Sequence, residues 1–219
     1  MDATLFGLFG LGLLLGFRHA FDADHIAAIA ALNSNSIIKG LFWGIGHTVS
    51  LLVAGFIVLL FKIAIPEKLA LSFEFIVGIM LIVLGLNALM TIKKHKLHSH
   101  KHRHGAEEHV HLHSHYMGKS HSHKHKPMIV GLIHGLAGSA ALVLLVLSTI
   151  NSVFMGILYI LIFGIGSIIG MMLISKIISL PFKFMMKRFH RADNMLKFGT
   201  GFLSLTVGIS IIYTTLTLF

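Results

Sequence analysis

The chain has 219 residues, of which 55% are hydrophobic and only 12% are charged, and its mean hydropathy is +0.86. This composition indicates a polytopic membrane protein rather than a soluble domain. The absence of cysteine excludes disulfides, thiolate metal ligands and thiol redox transfer. The net charge of +10 is carried between apolar segments, which favours loops facing anionic lipid over binding of nucleic acid.

Six apolar segments of roughly 20 residues follow one another along the chain. They are residues 4–31, 39–61, 71–92, 128–150, 153–176 and 195–218. The segment from Ser179 to Asn194, between the last two, has the composition of a loop. Neither a basic region nor a small-residue cleavage site accompanies the first segment, so we expect it to be retained as a helix. The sequence therefore predicts an all-α integral membrane protein with six transmembrane helices.

A polar segment between residues 93 and 127, the His-rich loop, holds twelve of the seventeen histidines. Its composition cannot build a core, so we expect it to be disordered without metal. The loop separates a first three-helix unit at residues 1–92 from a second at residues 128–219. Its repeated His-x-His pattern places alternate imidazoles on one side of an extended chain, which predicts unselective, low-affinity binding of several metal ions. The histidines expected to take part are His98, His100, His102, His104, His109, His111, His113, His115, His121, His123 and His125.

Basic residues lie mostly on one side of the six predicted spans. That side collects Lys39, the eight Lys and Arg of the His-rich loop, and six more between residues 176 and 197, whereas the other side has Lys62 and Lys68. The positive-inside rule then predicts that the His-rich loop is cytoplasmic and that both termini lie outside the cytoplasmic membrane.

The two halves of the chain resemble each other in sequence. "GFRHAFDAD" from Gly16 matches "GLIHGLAGS" from Gly131, and "FWGIGHTVS" from Phe42 matches "IFGIGSIIG" from Ile162. The spacing of Phe75, Gly78 and Gly85 recurs near the C-terminus at Phe198, Gly201 and Gly208. Since each half has three spans, the matches predict a 3+3 inverted repeat, the plan of many transporters. Glycines that serve only helix packing would give similar matches.

Ionisable residues cluster inside the first predicted span, in "GFRHAFDADHIAA" from Gly16 to Ala28. On a regular helix, His19, Asp22 and His25 share an arc of roughly 120°, whereas Asp24 points elsewhere. Either Asp24 has another role, or the helix opens locally, which a membrane tolerates only where the backbone faces protein or water. The alternative interpretation is structural: Arg18 and Asp22, at positions i and i+4, would form an ion pair beside two core histidines.

Two imidazoles beside carboxylates suit a divalent transition metal, and the lack of thiolates argues against Cu(I). His47 in "GIGHTVS" and His134 in "GLIHGLAGS" are two further histidines inside predicted spans. Both are candidates for a shared site or an ion pathway, although a lone histidine in a span can simply hydrogen-bond a neighbouring helix.

These residues resemble the motifs of the nickel/cobalt transporter (NiCoT) family. "RHAFDADH" contains the family signature H-x-x-x-x-D-H, and "FWGIGHTV" is similar to its aromatic-rich second motif. The resemblance implies that His19, Asp22, Asp24, His25 and His47 belong to the metal site. Where the family has an Asp-Asn pair, this chain has two alanines, and Asn33 is the nearest polar residue. "HGLAGSAAL" resembles the shorter, urease-linked branch of the same superfamily.

Together, the residues and the resemblance predict a secondary transporter for Ni²⁺ or Co²⁺ and not an enzyme. Uptake is favoured; efflux, or a metal-delivery role without transport, is the alternative. Arg18, Asn33 and His134 are assigned to the ion pathway. The expected partners are the transported ion and the lipid bilayer, with a cytoplasmic metal-accepting protein as a further candidate. No resident cofactor and no nucleic acid are expected.

Overall fold

The computed structural model of the chain describes residues 3–32, 36–62, 66–92, 99–104, 107–112, 125–137, 150, 152–188 and 192–219. The helices in these ranges are α1 (Ala3–His19), α2 (Ala23–Ala31), α3 (Ile37–Phe61), α4 (Glu67–Ile92), α5 (His125–His134), α6 (Val153–Arg188) and α7 (Ala192–Leu218). The strands are β1 (Ser99–His104) and β2 (Glu107–Leu112).

Four helical stretches are long and apolar enough to cross a bilayer: Ile37–Phe61, Glu67–Ile92, Val153–Pro181 and Asn194–Leu218. A shorter apolar stretch, Phe6–His19, precedes them. The predicted class, a helical membrane protein, is therefore confirmed. The count of six spans stays a prediction, because residues 138–149 of the fourth predicted span lie outside the described residues.

The first predicted span is broken in its middle. α1 ends at His19, and a turn over residues 20–22 leads into α2. The amide of Asp22 donates a hydrogen bond to the carbonyl of His19 (3.1 Å). The break is sheltered by protein, since Ala20 is fully buried and α2 packs against α4, α6 and α7, as a break inside a membrane requires.

The second half contains a matching turn. α5 ends at His134, and the amide of Ala137 donates to the carbonyl of His134 (3.1 Å). His134 is the residue that the sequence comparison pairs with His19, 115 positions earlier. Each of these two histidines is thus the last residue of a helix that stops at a turn, which supports the predicted repeat.

The closest helix contacts also occur in matching pairs. A Cβ atom at Gly16 of α1 would overlap the carbonyl oxygen of Phe163 on α6, and a Cβ at Gly131 of α5 would overlap that of Trp43 on α3. In the alignment of the two halves of the chain, Gly16 corresponds to Gly131 and Trp43 corresponds to Phe163. α1 therefore packs on α6 as α5 packs on α3, while α3 also packs on α6 and α4 on α7. The inverted repeat itself stays a prediction that these contacts support.

The strands β1 and β2 form an antiparallel hairpin inside the His-rich loop. Their register pairs His100 with His111 and His102 with His109. Regular pairing thus occurs within a segment that the sequence predicts to be disordered without metal. The reason is the two-residue period of the His-x-His pattern, which is also the period of a strand.

α6 extends further than the sequence pattern predicts. The segment from Ser179 to Asn194 is expected to be a loop, but the helix continues to Arg188 and contains Pro181. Proline removes one backbone donor and disfavours a helix interior. In α6 this loss does not end the helix, so the predicted loop is wrong over residues 179–188.

Candidate metal site

His19, the last residue of α1, is buried and bound to the turn that follows it. Its Nδ1 donates a hydrogen bond to the carboxylate of Asp22 (2.8 Å), which makes no capping bond to α2. A carboxylate acceptor assigns the proton to Nδ1 and leaves a lone pair on Nε2. That Nε2 atom is buried and has no hydrogen-bond partner among the described residues.

His25, in the first turn of α2, is fully buried and has the same arrangement. Its Nδ1 donates to Oδ1 of Asp24 (3.0 Å), and its backbone amide donates to the same oxygen (2.9 Å). Its Nε2 has no partner within the described part of the chain. A carboxylate on one ring nitrogen and a lone pair on the other is the usual arrangement of a metal-ligating histidine.

His47 reaches the same place from the middle of α3. Gly44 and Gly46, in the turn before it, bring α3 close to α6 and α5, because a Cβ at either glycine would clash with the opposing helix. The centroid of the His47 ring lies 5.2 Å from that of His19 and 5.3 Å from that of His25. One ligand atom from each of the three histidines can be chosen so that all lie within 4.8 Å of one another. We call His19, His25 and His47 the histidine trio.

His134 joins the cluster from the second half of the chain. Its Nε2 donates to Oδ2 of Asp24 (2.9 Å), and its ring centroid lies 4.1 Å from that of His25. Asp24 therefore accepts from His25 with one oxygen and from His134 with the other. Asp24, His25 and His134 form a second group whose ligand atoms lie within 4.8 Å of one another.

The cluster has the donors and the charge that a divalent transition-metal ion needs. Five of the buried ring nitrogens of these four histidines have no hydrogen-bond partner in the described ranges, and each such atom costs about 1–3 kcal/mol when left unsatisfied. Asp22 and Asp24 can balance a double positive charge, which would otherwise be expensive inside a membrane. Imidazole donors without thiolates favour nickel, cobalt, zinc or Cu(II).

Three residues near the cluster are not predicted from the sequence. Trp43 is buried and stacks on His25 (centroids 5.9 Å apart, planes 11° apart), and Phe163 lies 5.7 Å from the His19 ring. Glu74 of α4 is partly buried, and α4 packs against α2, the helix that carries Asp24. A carboxylate inside an apolar span is itself a signal of function, and it would have identified Glu74.

The remaining predicted residues have different outcomes. Arg18 is exposed, and Asp22 bonds to His19 instead of to Arg18, so the interpretation of a structural ion pair is wrong. Asn33 lies outside the described residues, as do the histidines of the loop apart from the hairpin positions and His125 at the start of α5. The assignment of Arg18 and Asn33 to an ion pathway stays a prediction. Metal binding by the loop histidines stays a prediction as well.

Two comparisons with known proteins give significant matches. Residues 8–203 match the profile of a family described as the cytochrome C biogenesis protein transmembrane region. The chain is 37% identical over 218 residues to the urease accessory protein UreH of Bacillus sp. (strain TB-90), an alignment covering 97% of this chain and 93% of that protein. No solved structure matches the chain significantly. The transmembrane family and the long apolar helices agree that this is a membrane protein.

Proposed function

The chain belongs to the family of the cytochrome C biogenesis protein transmembrane region, and we propose that it is a secondary transporter of Ni²⁺ or Co²⁺ in the cytoplasmic membrane. The observation that carries the proposal is the histidine trio, in which Nδ1 of His19 and of His25 is held by a carboxylate while Nε2 has no hydrogen-bond partner among the described residues. Three convergent imidazoles inside a membrane form a site for a cation, because a protein core without an ion would leave them unsatisfied.

Electron transfer by thiols is the rival function for a membrane protein of similar plan. That chemistry would need paired cysteines inside the membrane, and the chain has none. The cluster at the centre of the fold is made of imidazoles and carboxylates, which bind metal ions but do not themselves exchange electrons. Ion binding therefore accounts for the site better than redox chemistry does.

The choice of nickel or cobalt is supported by the donors and by similarity. Imidazole donors suit both ions, and the chain resembles the nickel/cobalt transporter family in its first two motifs. The relative in Bacillus is named a urease accessory protein, and supply of metal is a function that fits such a role. We propose this accessory, non-catalytic role for the present chain as well.

Uptake is the favoured direction on energetic grounds. A membrane potential contributes about 2.3 kcal/mol per charge per 100 mV, hence about 4.6 kcal/mol for a divalent ion moving inward. No nucleotide-binding motif occurs in the chain, and inward movement needs none. In the proposed orientation of six spans, the His-rich loop faces the cytoplasm, where it would catch incoming ions and pass them to a metal-accepting protein. Efflux would require coupling to another gradient.

Transport by the purified protein tests the proposal directly. Proteoliposomes with an imposed inside-negative potential should accumulate labelled nickel, and protein-free liposomes should not. Accumulation that reverses with the direction of a proton gradient, but not with the potential, would indicate efflux. Tight binding of nickel by the trio without any flux would favour the metal-delivery alternative.

Asp22 is expected to support the site without binding the ion. Its carboxylate bonds Nδ1 of His19 and is 52% exposed, so Asp22→Ala should weaken nickel binding by about 10–100-fold, the usual cost of losing a partner of a ligating histidine. Calorimetric titration of the folded variant measures this loss. Complete loss of binding, equal to that of a histidine variant, would instead make Asp22 a direct ligand.

The His-rich loop is expected to lie outside the transport path. Replacing residues 98–125 with a Gly/Ser linker should preserve nickel flux in proteoliposomes but reduce the number of ions bound per chain, because the loop supplies most of the histidines. Equilibrium dialysis gives the number of ions, and the flux assay gives the rate. A folded linker variant without flux would place the loop in the gate or the path.

A further inference from the structure

We infer, resting on the proposed transport function, that the ion occupies two successive positions that share His25. The first position is the histidine trio. The second, which we call the carboxylate position, consists of Asp24, His25 and His134. Each group brings its ligand atoms within 4.8 Å of one another, and only His25 belongs to both.

The two ring nitrogens of His25 serve different neighbours. Nδ1 faces the carboxylate of Asp24, whose other oxygen accepts from His134. Nε2 is on the other edge of the ring, buried, and has no protein partner in the described ranges. An ion bound through Nε2 therefore belongs to the trio, and an ion bound through Nδ1 belongs to the carboxylate position.

Sharing His25 makes the two positions alternatives for one ion. A neutral imidazole has one lone pair and one N–H group, so it can bind a metal through one nitrogen at a time. When the ion moves from Nε2 to Nδ1, the proton of Nδ1 is lost and Nε2 gains one. His134 changes in the same way, because its Nδ1 is unpartnered within the described residues and can take the proton that Nε2 gives up. The move thus exchanges ligands without a net change in bound protons.

Movement from the histidine trio to the carboxylate position takes the ion from ligands of the first half alone to ligands supplied by both halves. All three trio residues come from the first half, whereas the carboxylate position includes His134 of α5. In the internal alignment, Asp22 and His47 of the first half are replaced by Ala137 and Ser167 in the second half. Of these aligned positions, the second half therefore keeps a metal-binding side chain only at His134, the counterpart of His19. Substrate sites of repeat-built transporters lie at such a boundary.

Each position borders a partly exposed carboxylate. The Asp24 side chain of the carboxylate position is 25% exposed, and the Asp22 side chain, which bonds His19 of the trio, is 52% exposed. His25, which lies between the two carboxylates, is fully buried. A carboxylate near an opening attracts a cation and lowers the cost of its entry into the membrane. The geometry therefore joins the two positions into one path through His25.

The test uses Co²⁺ as the probe on full-length protein whose loop ions have been removed by a weak chelator. X-ray absorption of wild type should show three imidazole ligands, and His134→Ala should keep this spectrum and the wild-type affinity. His47→Ala should still bind one ion, now with two imidazoles and a carboxylate. The same His134→Ala protein should carry Co²⁺ about 100-fold more slowly in proteoliposomes, since even a misplaced group on a reaction path can cost about 100-fold.

Ser167→Ala is the matched control, because the hydrogen bonds that Ser167 makes within the described ranges go to the backbone carbonyls of Gly16 and Phe163, and it should resemble wild type throughout. His134→Gln, which can still donate to Asp24, replaces the alanine variant if that variant does not fold. Loss of all Co²⁺ binding in folded His47→Ala, or wild-type flux in His134→Ala, would overturn the second position and leave the transport function standing. Absence of flux in wild type would overturn both.

Discussion

Replacing His25 by alanine is expected to abolish both nickel binding and nickel transport. His25 is fully buried and is the residue common to the two groups that can hold an ion. Loss of a residue that hydrogen-bonds a metal ligand lowers metal affinity by about 10–100-fold. Loss of His25, a ligand in both positions, should therefore lower nickel affinity by at least about 100-fold. Calorimetry on the protein with the loop linker, and uptake of labelled nickel by liposomes, measure the two effects.

His190→Ala is the matched control for this substitution, because His190 is the one histidine outside both the cluster and the His-rich loop. It should bind and transport nickel as wild type does. Circular dichroism and gel filtration in detergent should show that both variants are folded. Wild-type uptake by folded His25→Ala would remove the cluster from the transport path.

Replacing Gly16 by valine is expected to prevent α1 from packing on α6. A Cβ at this position would overlap the backbone carbonyl of Phe163, and a backbone atom cannot rotate away as a side chain can. Overpacking in a tight core costs about 1–3 kcal/mol, and more where the backbone is involved. Because α1 also carries His19 into the cluster, the variant should lose thermal stability and nickel binding together.

Gly10 in the same helix provides the control. A Cβ there has no atom within 4 Å, so Gly10→Val should unfold close to the wild-type temperature. Gly131→Val should behave like Gly16→Val, since its Cβ would meet the carbonyl of Trp43 in the matching contact. Equal melting temperatures for Gly16→Val and Gly10→Val, measured in the same detergent, would contradict the packing described for α1.

The sequence is sufficient to locate the candidate site but not to assign the roles of its carboxylates. Ionisable residues inside an apolar span identify the motif around His19 and His25, and the internal similarity identifies His134. A regular helix, however, would turn Asp24 away from the other groups. The turn over residues 20–22 changes these directions, so that Asp24 contacts both His25 and His134. Local helix breaks depend on what the neighbouring helices cover, which one segment of sequence does not reveal.

The helices themselves follow from hydropathy more closely than their ends do. The predicted spans at 39–61 and 71–92 correspond to α3 and α4. Pro181 and the basic residues after it suggest a loop, yet α6 continues through them. Propensity at a helix end is a weak preference that packing and neighbouring turns can override. Composition is a similarly weak guide in the His-rich loop, where a segment predicted to be disordered contains the paired strands β1 and β2.

Trp43 shows a different limit of sequence reasoning. The motif that contains it is evident, but its stacking on His25 depends on where the fold places α3 relative to α2. Glu74 could have been predicted, since a carboxylate in an apolar span seldom lacks a function. Its place relative to the cluster depends on how α4 packs against α2, which hydropathy does not specify.

Anomalous X-ray scattering at the nickel absorption edge, from crystals of the nickel-bound protein, locates the bound ion directly. A nickel site at the histidine trio predicts one strong peak inside the helix bundle, within about 2.0–2.1 Å of nitrogen atoms from His19, His25 and His47, the usual metal–imidazole distance in zinc sites. Asp22 and Asp24 should then contact the far nitrogens of the histidine rings rather than the ion. Nickel bound only at the loop or at surface carboxylates, with the buried cluster empty at saturating nickel, would show that the cluster is not the metal site.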